Sequence, residues 1–249
     1  KFAKAKLTAM RERSVALGVM GLHSYFKIKN IPFGSVMSKV WNKKVFKNIQ
    51  EKVDAASKSL AEERGACPDA EEYGMKERFS NKTAIAPTAS ISIICGGSSP
   101  GIEPIAANSY THKTLSGSFN VRNKYLKKIL SKYKKDTDDV WSSITTNQGS
   151  VSHLDFLTAE EKDTFKTAFE IDQRWIVELG ADRTPHISQA QSINIFIPAD
   201  IHKKDLHNLH FQAWKKGLKS LYYCRSKSIQ RAENVNKGTS TDVTKNVYS

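Results

Sequence analysis

The stretch that most restricts the fold lies near the C-terminal end. Residues 191–197 (QSINIFI) read as a strand closed by Pro198. Asp200 is a candidate N-cap for a helix in which Leu206, Leu209, Ala213 and Trp214 fall at helical spacing. Gly217 can stop that helix, and residues 220–224 read as the next strand. Strand, helix and strand over about 35 residues make a βαβ unit, and strands joined by such a crossover run parallel. The chain is therefore expected in the α/β class.

Upstream, residues 3–27 read as helical, with Leu7, Met10, Val15, Val19 and Leu22 partly tracing one face. Gly18 and Gly21 interrupt that pattern and suggest close packing against a neighbour. After the break at KNIPF (29–33), a longer helix is expected over 35–64, ended by Gly65. Val36, Val40, Val45, Ile49, Val53, Ala56 and Leu60 would form its core-facing stripe, and Cys67-Pro68-Asp69 a turn. Residues 110–121 read as extended, 124–134 as a basic helix, and 141–151 as a helix running into a loop. Thr158 with Glu161 is a capping-box pattern for a helix carrying Phe165, Phe169, Trp175 and Ile176 to about Gly180, followed by a loop over 181–189. Beyond Arg225 the chain turns polar, and 235–249 is expected to be a flexible tail.

Composition narrows the function classes. At 249 residues the chain can form one large domain or two small ones. No run approaches the ~18 apolar residues of a membrane span, and no secretory pattern is present. Cys67, Cys95 and Cys224 lie far apart with no CxxC pair, which fits a reducing cytoplasm and gives little support to zinc or disulfides. The net charge of +14 implies acidic partners: nucleotide phosphates, a nucleic acid or an acidic protein segment. Its densest run, KYLKKILSKYKK at 124–135, reads as a solvated helix face. No zinc-finger or RNP-type motif accompanies it, so sequence-specific nucleic-acid binding has little support.

Two short stretches carry chemistry. In TAIAPTASISIICGGSSPGIEP (83–104), a buried strand over 83–86 leads through Pro87 into Thr88, Ala89, Ser90, Ile91 and Ser92, with a short helix starting near Ser90. Unpaired N–H groups at such a start suit a phosphate, although an ordinary N-cap uses the same residues. Tyr222 and Tyr223 stand side by side in the last strand. A phenol carries both a dissociable proton and an oxidisable ring, so the pair can relay an electron with a proton. By residue type alone, such a pair in a strand far more often reflects plain β-propensity and packing. Unless the chain bends there, the two side chains point to opposite faces.

TAIAPTASIS, SPGIEP, THKTLSGSF and KKGLKSLYY occur in this order, together with RSVALGVMGLHSY (13–25), GACPDA (65–70) and SQAQSINIF (188–196). From about residue 8 to 234 the chain resembles the C-terminal part of the class I ribonucleotide reductase large subunit, most of all the version carried by T-even-type bacteriophages. The resemblance implies a ten-stranded α/β barrel, of which residues 1–234 would be the C-terminal part, incomplete without an N-terminal portion. It implies reduction of ribonucleoside diphosphates for DNA synthesis. Thr88, Ala89, Ser90 and Ile91 would hold the substrate diphosphate, with Ser92 adding to them. Tyr222 and Tyr223 would be the large-subunit end of a radical path from a small, metal-containing subunit to an active-site cysteine. The helix around 203–216 would help receive the small subunit's C-terminal tail, whose acidic character suits the lysines.

The same resemblance implies parts that this sequence lacks. No Asn-x-Cys-x-Glu motif for the radical cysteine occurs, and Cys67, Cys95 and Cys224 match none of the family's cysteine roles. No cofactor is expected in this chain. The metal-radical cofactor would sit in the small subunit, thioredoxin or glutaredoxin would supply reducing equivalents, and ATP and dNTP effectors would bind mainly the N-terminal portion. Starting at Lys1, the chain reads as a processed product or a fragment, expected to be inactive alone and located in the cytoplasm (a host's, if phage-encoded). Two other classes stay open: a noncatalytic subunit that completes a barrel, and a basic nucleic-acid-binding module.

Overall fold

The computed structural model describes residues 2–114 and 117–227. The expected tail at 235–249, and residues 115–116 of the LSGSF segment, lie outside the described residues. Helix α1 (Ala3–Glu12) ends at Arg13, which takes a left-handed φ of 49°. The single helix expected over 3–27 is therefore corrected to two. The chain leaves α1 to run beside residues 81–84, where a Cβ on Gly18 would meet Ala84 O at 2.8 Å, and turns helical again in α2 (Leu22–Ile28). The close packing expected at Gly18 is thus present, with the backbone of Ala84 as the neighbour.

Helix α3 (Val36–Arg64) begins on Ser35, whose hydroxyl accepts the Ser38 N–H at 3.2 Å, and ends at Gly65 with φ 79°. Its expected stripe holds only in part: Val45, Ile49, Val53 and Leu60 are half-buried, with Val45 packed against the core, but they flank the buried line and Ala56 is exposed. Val36 and Val40 are exposed, whereas Ser38, Asn42, Phe46, Ser57 and Ala61 are the buried positions. Polar residues on that line find partners inside: Ser38 Oγ donates to Phe33 O at 2.7 Å and Asn42 Nδ2 to Leu179 O at 3.0 Å. The turn at 67–69 is the start of a short helix α4 (Pro68–Glu72), with Pro68 at its first position. Next come α5 (Ala89–Ile94) and an antiparallel hairpin of β1 (Ser109–Thr114) and β2 (Gly117–Arg122).

The basic run forms α6 (Lys124–Lys132), followed by α7 (Asp138–Thr146). The capping box of Thr158 and Glu161 is present, but it starts only the short α8 (Ala159–Thr164). Glu170 then holds both the N–H and the hydroxyl of Thr167 at 2.8 Å, closing a turn, and Asp172 caps a separate α9 (Gln173–Arg183). Gly180 does not stop α9. A Cβ there would meet Ile193 Cδ1 at 2.8 Å, so its role is close packing and residues 181–183 stay helical. β3 (Ile195–Ile197), α10 (Lys203–Lys215) and β4 (Cys224–Ser226) form the expected parallel βαβ unit, with His202 rather than Asp200 as the cap of α10.

These elements hang on an arc of parallel backbone. Leu17 is bridged in parallel to Thr83, and Ile85 in parallel to Gln191. β3 continues the third segment and pairs with β4, Ile195 opposite Cys224. Residues 83–86 are thus the second member of the arc, held by isolated bridges rather than as a full strand, with Ala86 exposed. Leu22, Phe26, Phe46, Ile85, Ile176 and Ile193 pack together on one side of it. A second cluster around Leu126, Trp141, Ile144 and Phe165 supports the hairpin and α6. No helix among the described residues is long and apolar enough to cross a membrane.

One buried cation ties the helices to this arc. Arg183 is 1% exposed, donates to Gln191 Oε1 at 2.9 Å and Asn42 Oδ1 at 3.0 Å, and lies over the Phe46 ring. Burial pulls its guanidinium down to about 9. Asn42→Leu removes an acceptor from a charge that cannot reach water. Urea unfolding should then show a loss of about 3 kcal/mol.

Candidate functional site

The hydroxyl-rich turn follows directly from the arc. Thr83 is anchored by Ser188, whose N–H donates to Thr83 Oγ1 at 2.9 Å. The chain then passes Pro87 into Thr88, which has a φ of 51°, uncommon for a β-branched residue. Thr88 does not cap α5 with its side chain; instead its Oγ1 accepts the Gly101 N–H at 2.7 Å. Gly101 itself must lack a Cβ, which would lie 2.9 Å from Ala86 O. Ser99 and Ser24 exchange N–H to hydroxyl bonds of 3.0 and 2.8 Å, pinning the GSSPG segment to α2. Two loops and a helix start are thereby locked together.

Within α5 the first internal bond runs from Ser92 N–H to Thr88 O at 2.9 Å. The N–H groups of Ala89, Ser90 and Ile91 come before it and have no acceptor inside the helix. Ser90 and Ile91 are exposed, whereas Ser92 is 4% exposed and its hydroxyl donates to Ala89 O at 2.8 Å. Ala89 and Ser92 line a cavity of about 610 Å³ that also touches Glu103, Tyr110, Phe196 and Arg225. Of the five residues nominated here, these two reach the cavity wall, and Thr88 shapes the turn from behind.

The tyrosine pair lies immediately before β4, not within a regular strand. Tyr222 N–H donates to Ile193 O at 2.8 Å, and Ile195 N–H donates to Tyr223 O at 3.0 Å. In an even parallel ladder, the bond to Ile193 O would come from Tyr223. One extra residue is therefore accommodated there, which makes a β-bulge. The bulge turns the two side chains towards each other, with ring centroids 4.1 Å apart and the Tyr222 hydroxyl 3.4 Å from the Tyr223 oxygen, to which it donates. That bond raises the Tyr222 phenol above its ordinary value. Both rings are about half exposed, and the Arg225 guanidinium sits 5.7 Å from the Tyr223 ring centre.

Sequence reasoning missed the group that joins the two features. Glu103, in SPGIEP, is 8% exposed and accepts from Asn194 Nδ2; Asn194 Oδ1 in turn accepts the Tyr223 N–H at 2.9 Å. Burial raises the Glu103 carboxyl to about 7 despite the lowering effects of Arg225 and Asn194. The only signal in the sequence was a single acid set among Gly, Ile and Pro. Cys67 is buried, while Cys95 and Cys224 are exposed, and all three are free thiols. On α10, Phe211 and Trp214 are exposed alongside Lys203, Lys204 and Lys215.

The chain matches the family "Ribonucleotide reductase, barrel domain" over residues 1–77 and 69–224, and it belongs to that family. It is 46% identical over 237 residues to the ribonucleoside-diphosphate reductase large subunit of Invertebrate iridescent virus 6, covering 94% of this chain and 24% of that protein. The large subunit of Caenorhabditis elegans is 31% identical over 260 residues, covering 92% of this chain and 33% of that one. A solved structure, the class Id ribonucleotide reductase alpha subunit of Actinobacillus ureae, aligns with a TM-score of 0.83 at 39% identity over 91% of this chain and 41% of that one. The chain thus spans about a quarter to two-fifths of these relatives, as a partial class I large-subunit barrel.

Glu103 gives a pH signature with a definite sign. Its folded value, about 7, lies above the ordinary 4.5, so the folded state binds the proton more tightly. Its stabilising contribution is complete below about 4.5 and is lost as pH rises through 7. His23, buried and lowered, acts in the opposite direction. The comparison that isolates Glu103 is the melting-temperature difference between the parent chain and Glu103→Gln, which should shift against the parent from pH 5 to pH 8.

Proposed function

We propose that this chain supplies two working parts of a class I ribonucleoside-diphosphate reductase large subunit. These are the cradle for the substrate's diphosphate and the last tyrosines of the radical path. The observation that carries the reading is the pair of phenols brought within 3.4 Å of each other by a backbone bulge. Packing alone needs no such arrangement, because adjacent residues of a plain strand face opposite ways.

The direction of the Tyr222 hydroxyl bond suits a stepwise relay. Tyr223, oxidised from the small subunit's side, gives up one electron and its phenolic proton. Tyr222 then passes an electron and the proton it already points at Tyr223, restoring that phenol and becoming the radical itself. Tyr222 regains a hydrogen atom from a cysteine thiol carried by the N-terminal portion of the large subunit, and the resulting thiyl abstracts the substrate's 3′ hydrogen. The small subunit contributes the metal-radical cofactor that starts the sequence. Thioredoxin or glutaredoxin restores the reducing equivalents, and ATP and dNTP effectors act through the N-terminal portion.

At the cradle, the N–H groups of Ala89, Ser90 and Ile91 take the diphosphate, helped by the Ser90 hydroxyl, while Thr88 contributes by fixing the turn through its bond to Gly101. Ser92 contributes by holding the first turn of α5, since its hydroxyl is engaged with Ala89 O. The basic and aromatic face of α10 receives the acidic tail of the small subunit. The assembly works in the cytoplasm, and this chain alone is inactive for want of the radical cysteine.

Reconstitution with an N-terminal large-subunit portion and a small subunit tests the reading. Tyr222→Phe and Tyr223→Phe should each cut diphosphate reduction by at least ~100-fold with unchanged substrate KM, because the phenolic proton is lost. Retained turnover in both would leave only the barrel-completing role. Ser90→Glu should raise the KM for the diphosphate about tenfold or more through like-charge repulsion, with the tyrosine pair untouched.

A further inference from the structure

We infer that Asn194 and Glu103 are positioning residues whose hydrogen-bonded pair holds the bulge that brings Tyr222 and Tyr223 together. The inference rests on the relay reading above and adds to it the device that fixes the geometry. At the bulge, Tyr222 takes the ladder bond to Ile193 O that Tyr223 would otherwise make. The Tyr223 N–H is left without its backbone acceptor, and an unpaired amide at a half-buried position is costly. Asn194 Oδ1 supplies the missing acceptor at 2.9 Å.

An asparagine amide can present either end, and its partner decides which. Glu103 accepts from Asn194 Nδ2, which forces the oxygen to face Tyr223. Both side chains are buried, Asn194 at 1% and Glu103 at 8% exposure, which limits competition from water for these bonds. Arg225, two residues beyond Tyr223, faces Glu103 electrostatically and lies over the Tyr223 ring, closing the set on the strand side. Glu103 and Arg225 also line the cavity shared with Ala89 and Ser92, so the clamp spans the cradle and the tyrosines.

The pair has a donor–acceptor polarity that can be broken and restored. Asn194→Asp still accepts from Tyr223 but cannot donate to Glu103, and where phenols titrate both carboxylates are ionised and repel. Asn194→Asp with Glu103→Gln restores the match, because the glutamine amide donates to the new carboxylate. The first readout is a fluorine NMR titration of the full chain carrying 3-fluorotyrosine at position 222. In the parent, the phenol should titrate above free fluorotyrosine, as the bond to Tyr223 dictates. It should fall back to the free value in Asn194→Asp and in the charge-free Asn194→Ala, and rise again in the double variant.

The second readout is turnover in the reconstituted complex, where the single variants should lose ~10-fold or more in kcat at constant KM, with recovery in the double variant. Circular dichroism identifies the variants that fold, and should Asn194→Asp not fold, Asn194→Ala carries the test. A fluorotyrosine titration unchanged by the single variants, or a double variant that does not recover, overturns the clamp. A parent complex without turnover would sink the relay reading while the fluorine titration still judged the clamp.

Discussion

The arc of parallel backbone is the constraint on which the rest depends. Leu17, Thr83, Ile85, Gln191, β3 and β4 are brought side by side from segments as much as two hundred positions apart in the chain. The register sets these segments so that the residues just past the end of the second, Asn194 in the third and the tyrosines before β4 stand at one level of the arc. Here the second member of the arc runs into Thr88 and α5, and the third runs through Asn194. The fourth begins with the tyrosine bulge. A shift of one residue at any bridge would reverse which side chains face the core and would separate these groups.

The charge of the chain works differently on its surface and inside. The lysines lie mostly in water, spread over α3, α6 and α10 among other elements, where isolated charges add little stability but set up a field attractive to anions. The interior holds a few ionisable groups under strict control. Arg183 is satisfied by Gln191, Asn42 and an aromatic face, whereas Glu103 is shifted towards its neutral form and tied to Asn194. His23 Nδ1 accepts the Ile105 N–H at 2.9 Å and is held neutral by burial and by Lys27. The Lys27 ammonium, 3% exposed and 5.5 Å from the Phe165 ring, is lowered by burial as well. His23 and Lys27 lie beside the loop that carries Glu103, through the Ile105 bond and the shared cavity, whereas Arg183 ties α3 to the arc through Asn42 and Gln191.

The sequence by itself determined whatever depends on near neighbours. Ser35 and Gly65 mark the ends of α3, Thr158 with Glu161 makes a capping box, and strand, helix and strand at the C-terminus imply a parallel pair, because caps and crossovers are local physics. The ordered motifs also sufficed to indicate the reductase family. Only the tertiary structure decided where local rules compete with packing. The chain leaves α1 at Arg13 to pair Val15 and Leu17 with residues 81–82, and Gly180 lies within α9 as a site of close packing against Ile193 rather than at its end. Ser38 and Asn42 occupy the buried line of α3 because acceptors await them there. The same holds at the site: two adjacent tyrosines point apart by strand geometry, and they meet only because an amide from another segment takes up the N–H that the bulge sets free.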